Sequence, residues 1–306
     1  MKITEPIYRE LAECGLVRSH APMCDYTSFR TGGPAEMLIQ PHGMDSVPGI
    51  VRIARENSIP LTVTGGCSNL LVGDRGVPGI VLMLCENDCV RGRLESEGDG
   101  TVYADSTVKK GRFIDYTLAK GLEGCEFMAG IPGCVGGGIM MNAGTVDGTT
   151  LEILKRVDLI DADGAVRSVD ISDDMLAYRN FAVSRDVIVA GGLFSLRQID
   201  DIRPSMNKML DILAERRGKH PVAYPSAGSV FKNPDGHSSW RLIDEAGLKR
   251  MSVGGAMVSD LHTNFIINTG NATSADIRAL IEHIQEKVLS QFNIILETEV
   301  RMVGNF

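Results

Sequence analysis

The sequence predicts an α+β fold, with a strand-rich first part followed by a separate α/β lobe. Three observations carry this. The chain opens with a β-α-β pattern that ends at Gly65-Gly66. Its middle pairs strands through short hairpins, which disfavours a doubly wound sheet. Asp201-Ile202-Arg203-Pro204 then marks a boundary, beyond which about 100 residues alternate helices and strands, an ordinary domain size. The expected divisions are 1–76, 77–200 and 201–306.

Residues 4–14 are expected as a short helix, Tyr26–Pro34 as a polar turn and Ala35–Gln40 as a strand. Ser46–Asn57 has Val47, Ile50, Val51 and Ala54 at helical spacing, with Pro48 in its first turn. Leu61–Thr64 and Gly79–Leu84 read as strands. Val90–Ser96 and Thr101–Asp105 form a hairpin across Gly98-Asp99-Gly100. Val108–Lys120 is a helix closed by Gly121. Leu154–Asp161 and Ala165–Val169 make a second hairpin, and Asp186–Leu196 another strand. In the last lobe, Ser205–Arg217 puts Met206, Met209, Leu210 and Leu213 on one helical face. Ser239–Ala246 is a helix, and Ala256–Ser259 and Asn264–Asn268 are strands. Thr273–Phe292 is the clearest helix, with Ile277, Leu280, Ile281, Ile284 and Val288 at 3,4 spacing. Ile294–Val303 closes the chain as a strand whose alternation places Glu297, Glu299 and Arg301 on one face.

The 306 residues carry a net charge of −8, which argues against a nucleic-acid partner. No run approaches the roughly 18 apolar residues of a membrane span, and the acid-bearing start is unlike a signal peptide, so the expected place is the cytoplasm. Seven cysteines, an odd number without a CxxC, argue against a disulfide framework or structural zinc. Most are expected as small buried hydrophobes. The six histidines show no metal-ligand spacing.

Gly130–Gly144, GIPGCVGGGIMMNAG, is dense in glycine yet carries Ile139, Met140 and Met141. Glycine lets backbone approach a ligand, and exposed N–H groups can line an anion site. The residues alone allow either a phosphate cradle or tight turns. Gly65–Leu70, GGCSNL, follows a strand and offers backbone N–H groups beside Ser68 and Asn69. It is neither GxGxxG nor a Walker loop. Two such clusters can clamp one dinucleotide. Arg179 suits a carboxylate or phosphate, or is a solvated surface group. Ser229, after Gly228 and near Lys232, is a hydroxyl proton donor or a turn serine; without GxSxG it is a poor hydrolase nucleophile. Glu299 beside Arg301 is a site carboxylate or part of a surface ion pair.

Together SFRTGGPAE, GGCSNLLVGDRG, GIPGCVGGGIMMNAG, YRNF, PSAGSVFKNP, WRLIDEAGLK, HTNFIIN and LETEVR, in this order over nearly the whole chain, resemble the UDP-N-acetylenolpyruvoylglucosamine reductase (MurB) family. Without a long tyrosine-bearing insertion, the chain resembles the shorter subtype. The resemblance implies an FAD-binding fold of the vanillyl-alcohol-oxidase/PCMH type, with subdomains 1–76 and 77–200, plus a substrate-binding domain over 201–306. It implies non-covalent FAD at Gly65, Gly66, Cys67, Ser68, Asn69, Leu70, Gly130, Ile131, Pro132, Gly133, Gly136, Gly137, Asn142, Ala143, Gly144 and Ile188. Hydride passes from NADPH to the flavin, then to UDP-N-acetylglucosamine enolpyruvate, giving UDP-N-acetylmuramate. By resemblance Arg179 stabilises the enolate, Glu299 holds the carboxyl end, Ser229 is the general acid, and Lys232 and Asn233 bind substrate. No metal is implied, and the expected state is a monomer. Two departures stand out: cysteine where glycine or serine is expected at position 67 and a small residue at 134, and no aromatic residue in Thr145–Gly148.

Overall fold

The computed structural model describes residues 3–87, 90–172, 175–177, 180–181 and 187–306. The chain forms two compact units. Unit 1 comprises Met1–Ser19, Met37–Gly66 and Gly79–Ala214, and unit 2 comprises His20–Glu36, Cys67–Pro78 and Glu215–Phe306.

Helix α1 (Glu5–Cys14) has proline in its first turn, and α2 (Val47–Glu56) buries Val47, Ile50, Val51 and Ala54 as its spacing requires. A four-stranded sheet runs in the order Gly15–Pro22, Pro34–Pro41, Val77–Met83, Leu61–Thr64, the last two strands parallel. Leu11, Ile39, Ile50, Ile80 and Leu82 are fully buried in the core beside it. The larger sheet of unit 1 is antiparallel, in the order Val166–Asp170, Leu154–Ile160, Ile188–Ser195, Thr101–Asp105, Leu94–Gly98. The hairpin turn at Asp99-Gly100 has φ of 45° and 74°, the left-handed pair that matches strand twist. Its first strand starts at Leu94 rather than Val90; the preceding Arg93 is tied instead through its backbone N–H to the Asp105 carboxylate, at 2.6 Å. Helix α3 (Lys110–Ala119) packs Phe113 against Phe194 of the sheet, with ring centroids 4.8 Å apart.

The glycine run does not stay a loop. Val135–Met140 forms α4, a short helix. Glycine is a weak helix former, so tertiary contacts hold it, as the site geometry shows. Helix α5 (Arg203–Lys219) forms where the spacing predicts one, but its apolar face is only partly covered: Met209 packs against the unit-1 core, while Met206 is 45% and Leu210 61% exposed.

In unit 2, α6 (Ser239–Glu245) and α7 (Ser274–Phe292) pack against the antiparallel strands Ser252–Val253, Ala256–Val258 and Ile266–Asn268. α7 buries the predicted stripe Ile277, Leu280, Ile281, Ile284 and Val288. Its start is a capping box: Thr273 Oγ1 accepts from Asp276 N, and Asp276 accepts from Thr273 N. Such a cap is worth about 1 kcal/mol. The closing segment is not one strand. Only Arg301–Val303 is regular, parallel to Leu70–Val72, while Thr298 makes a lone bridge to Phe231. The two partners lie on different segments, so the chain bends between them and the strict alternation of Glu297, Glu299 and Arg301 is lost.

Candidate active site

Within unit 1 the two glycine clusters meet. A Cβ on Gly66 would stand 3.0 Å from Gly133 Cα, and one on Gly65 would lie 4.0 Å from Gly137 N. The longer cluster is fastened to Ser106–Lys110 by backbone hydrogen bonds: Gly136 N donates to Ser106 O (2.9 Å), Val135 N to Val108 O (2.8 Å) and Lys110 N to Gly133 O (3.1 Å). At Gly136 a Cβ would come within 2.5 Å of Ser106 Cβ, so the close approach requires glycine. Gly137 is the opposite case, exposed, with no atom within 4 Å of a Cβ built there. Ile139 is buried in the core and Met140 packs against it, so the apolar tail anchors the helix from below.

Gly66, Ile131, Pro132 and Gly133 form one wall of a cavity of about 880 Å³. Arg91, Lys109 and Arg112 line it too, against the carboxylates Glu86 and Asp115. The buried Glu86 is already engaged, accepting from Arg112 Nη1 and from Lys109 N at 3.0 Å. Size, cationic excess and the backbone that Gly66 and Gly133 leave open suit an anionic dinucleotide such as FAD.

The other predicted unit-1 residues have fixed places. Asn142 is buried with φ of 38°, and its Oδ1 accepts from Leu151 N at 3.1 Å. Ala143 O accepts from Thr150 N and Oγ1. Gly144 starts a tight hairpin, Gly144–Thr145 with Gly148–Thr149. Ile188 pairs with Ile160 in the buried core.

Unit 2 brings Ser229 and Glu299 onto neighbouring backbone. Glu299 N donates to Val230 O at 2.7 Å, Val230 N donates to Asn264 O at 2.8 Å, and Ser229 is bridged to Phe265. Val230, Phe231 and Val300 are buried beside them, so both half-buried polar residues sit on anchored backbone. Asn69, predicted at the cofactor, spends its amide on this ladder: Nδ2 donates to Glu299 O at 2.9 Å, and Asn69 O accepts from Arg301 N at 3.0 Å. Lys232 pairs with Glu297, Nζ to Oε2 at 3.2 Å, rather than with Glu299. Asn233 Oδ1 accepts from Ser239 N at 3.0 Å, holding the start of α6. Arg179 lies outside the described residues. Among the described residues no three His, Cys, Asp or Glu side chains group as a metal site, and no helix is long and apolar enough to cross a membrane.

The family model for the C-terminal domain of UDP-N-acetylenolpyruvoylglucosamine reductase matches residues 220–303, and that of an FAD binding domain matches 35–170. A UDP-N-acetylenolpyruvoylglucosamine reductase of Clostridium botulinum strain Hall is 41% identical over 286 residues, 92% of this chain and 91% of that one. The chain belongs to the UDP-N-acetylenolpyruvoylglucosamine reductase family. The reductase of Pediococcus pentosaceus is 38% identical over 292 residues, 94% of each chain. The crystal structure of MurB from Thermus caldophilus matches with a TM-score of 0.77 at 30% identity, over 95% of this chain and 99% of that one. The protein is thus an FAD-dependent oxidoreductase of peptidoglycan precursor synthesis, with the expected α+β FAD-binding fold and C-terminal lobe.

Two features of the quoted motifs gain a physical account. Cys67 is buried with φ of 50°, a left-handed conformation that explains why glycine is expected there. Asn264, quoted within HTNFIIN but given no role from sequence, clasps Phe231: Oδ1 accepts from Phe231 N at 2.9 Å and Nδ2 donates to Phe231 O at 2.8 Å. An asparagine ahead of an apolar strand has no local signature of this, because its partner lies 33 residues away.

Proposed function

We propose that this chain reduces UDP-N-acetylglucosamine enolpyruvate to UDP-N-acetylmuramate with NADPH, as a monomeric cytoplasmic enzyme, and that Ser229, Glu299 and Arg179 carry the substrate half of the reaction. The chemistry that FAD supplies when bound is hydride transfer, from NADPH in one half-reaction and to the enolpyruvyl double bond in the other. Gly66, Gly133 and Gly137 offer the flavin's anionic portion backbone in place of side chains, with Lys109 and Arg112 as counter-charges.

Ser229 Oγ gives its proton to the carbon next to the one that receives hydride. A hydroxyl is a weak acid, but an enolate conjugated to a carboxylate is basic enough to take its proton. Arg179 places a fixed cation where that negative charge develops. Glu299 holds the carboxyl end of the enolpyruvyl group, and Lys232 and Asn233 bind the substrate. The observation that carries this reading is the Glu299 N to Val230 O hydrogen bond, which ties the carboxylate's backbone to the residue after Ser229. The free thiols among the described cysteines suit a reducing compartment.

Anaerobic stopped-flow of the two half-reactions tests the proposal. NADPH bleaches the flavin, and the enolpyruvyl substrate restores its colour. In Ser229→Ala the bleaching keeps its rate, while recolouring slows by about 10²–10⁴-fold. If the wild-type reduced flavin is untouched by that substrate, the reading is wrong.

A further inference from the structure

Two cysteines that the reductase chemistry leaves unused meet at the cavity wall of unit 1. Cys85 is half-buried and lines the cavity. Cys134 is fully buried; its backbone is bridged to Lys109, and its Sγ lies 3.6 Å from where a Cβ on Gly66 would stand. The two thiols hydrogen-bond to each other. We propose that Cys85 and Cys134 are a peroxide-sensitive thiol pair that closes reversibly to a disulfide in the cavity wall.

The geometry gives the two sulfurs different parts. The hydrogen bond from the Cys134 thiol, helped by the Lys109 ammonium, draws Cys85 below its ordinary pKa in spite of burial. The same bond, with burial, keeps Cys134 protonated. Thiolate is the nucleophile, and Cys85 is the sulfur that opens to the cavity. Its Sγ attacks one oxygen of a hydroperoxide and the O–O bond breaks. The departing oxygen takes a proton and leaves as alcohol, or as water from hydrogen peroxide, and Cys85 becomes a sulfenic acid. The Cys134 thiol then attacks that sulfur, gives up its proton, and expels water as the S–S bond forms. Two thiols and one hydroperoxide thus give one disulfide, one alcohol and one water. An S–S bond of about 2.05 Å is shorter than any thiol–thiol hydrogen bond, so closure pulls Cys134, and Gly133 with it, toward Cys85.

The test uses the full chain isolated with its flavin. It is treated with one equivalent of hydrogen peroxide, alkylated, and mapped by mass spectrometry without reduction. The expected product carries a Cys85–Cys134 cross-linked peptide, about 2 Da lighter than the sum of the two unalkylated thiol peptides, and is restored by dithiothreitol. Cys125, buried, beside Thr117 and pushed up to about 12 chiefly by burial, is the unreactive internal standard. In Cys134→Ser the Cys85 sulfenic acid persists and is trapped by dimedone. A Cys85–Cys89 cross-link, sulfinic acid on Cys85 with Cys134 still alkylatable, or no change at either residue overturns the proposal. The map reads the two thiols directly and needs no reductase turnover, so it can fail while the flavin reading stands.

Discussion

The cavity wall of unit 1 and the Ser229–Glu299 ladder of unit 2 are built on opposite principles. The wall works by omission: Gly66 and Gly133 let backbone meet backbone, and the side chain that is missing is the functional feature. The ladder works by addition: residues 229–232, 264–265 and 297–301 come from separated stretches and are joined by backbone hydrogen bonds and the Asn264 clasp. A region defined by missing side chains shows itself in local composition. One defined by distant partners does not.

The comparison can be broken from either side. The largest expected effect is the loss of recolouring in Ser229→Ala, since it removes the transferred proton and nothing else; equal loss in both half-reactions would place Ser229 with the flavin rather than with the substrate. Next is Asn264→Ala. It leaves Phe231 N–H and C=O buried without these partners, and about 2–6 kcal/mol of stability should go, at roughly 1–3 kcal/mol per orphaned group. Urea unfolding reads this, and a flavin affinity that stays unchanged would keep the two regions separate.

On the wall, the pair Gly136→Ala and Gly137→Ala separates packing from ligand contact. The first drives a methyl group against Ser106 and should cost about 1–3 kcal/mol. The second enters open space, and alanine favours a helix by roughly 0.5–1 kcal/mol. The flavin-free protein should therefore melt no lower, while FAD affinity falls. Undiminished FAD affinity in Gly137→Ala would mean that this face does not meet the flavin.

The smallest effect is one of pH on unit 2. His220 lies against Phe265 and His262, with ring centroids at 4.9 and 5.6 Å. Burial first, then Arg216, His262 and Lys219, lowers its pKa from 6.5 to about 4. His262 shifts the same way, through burial. Both states are neutral above pH 6.5. Between 6.5 and about 4 only the unfolded chain takes up the proton, so the stabilising contribution is present above 6.5 and lost as pH falls through that window. Melting temperature and amide protection factors at Ser229 and Phe265 should decline between pH 7 and 5, less steeply in His220→Gln. An unchanged slope in that variant would assign the loss elsewhere.

How far these regions could be read in advance follows from the same physics. The stripe Ile277–Val288 predicts α7 because a helix's apolar signal repeats within a few residues. The glycine run showed where backbone comes close, but α4 within it depends on carbonyls of Ser106 and Val108. Spacing puts Met206, Met209 and Leu210 on one face and has no means of saying that Met209 packs on the core while the other two stay exposed. The broken strand after Ile294 reflects a choice between Phe231 and Leu70–Val72 as partners.

The sequence by itself determined the helices, the hairpins, the glycine positions and the motifs that mark the family, since each is set by neighbours within about a turn of helix or one hairpin. Only the tertiary structure decided that Gly66 meets Gly133, that Cys85 meets Cys134, and that Ser229 and Glu299 share one ladder. Those pairings depend on which backbone groups find each other once the cores close, and an isolated stretch carries no record of its distant partner.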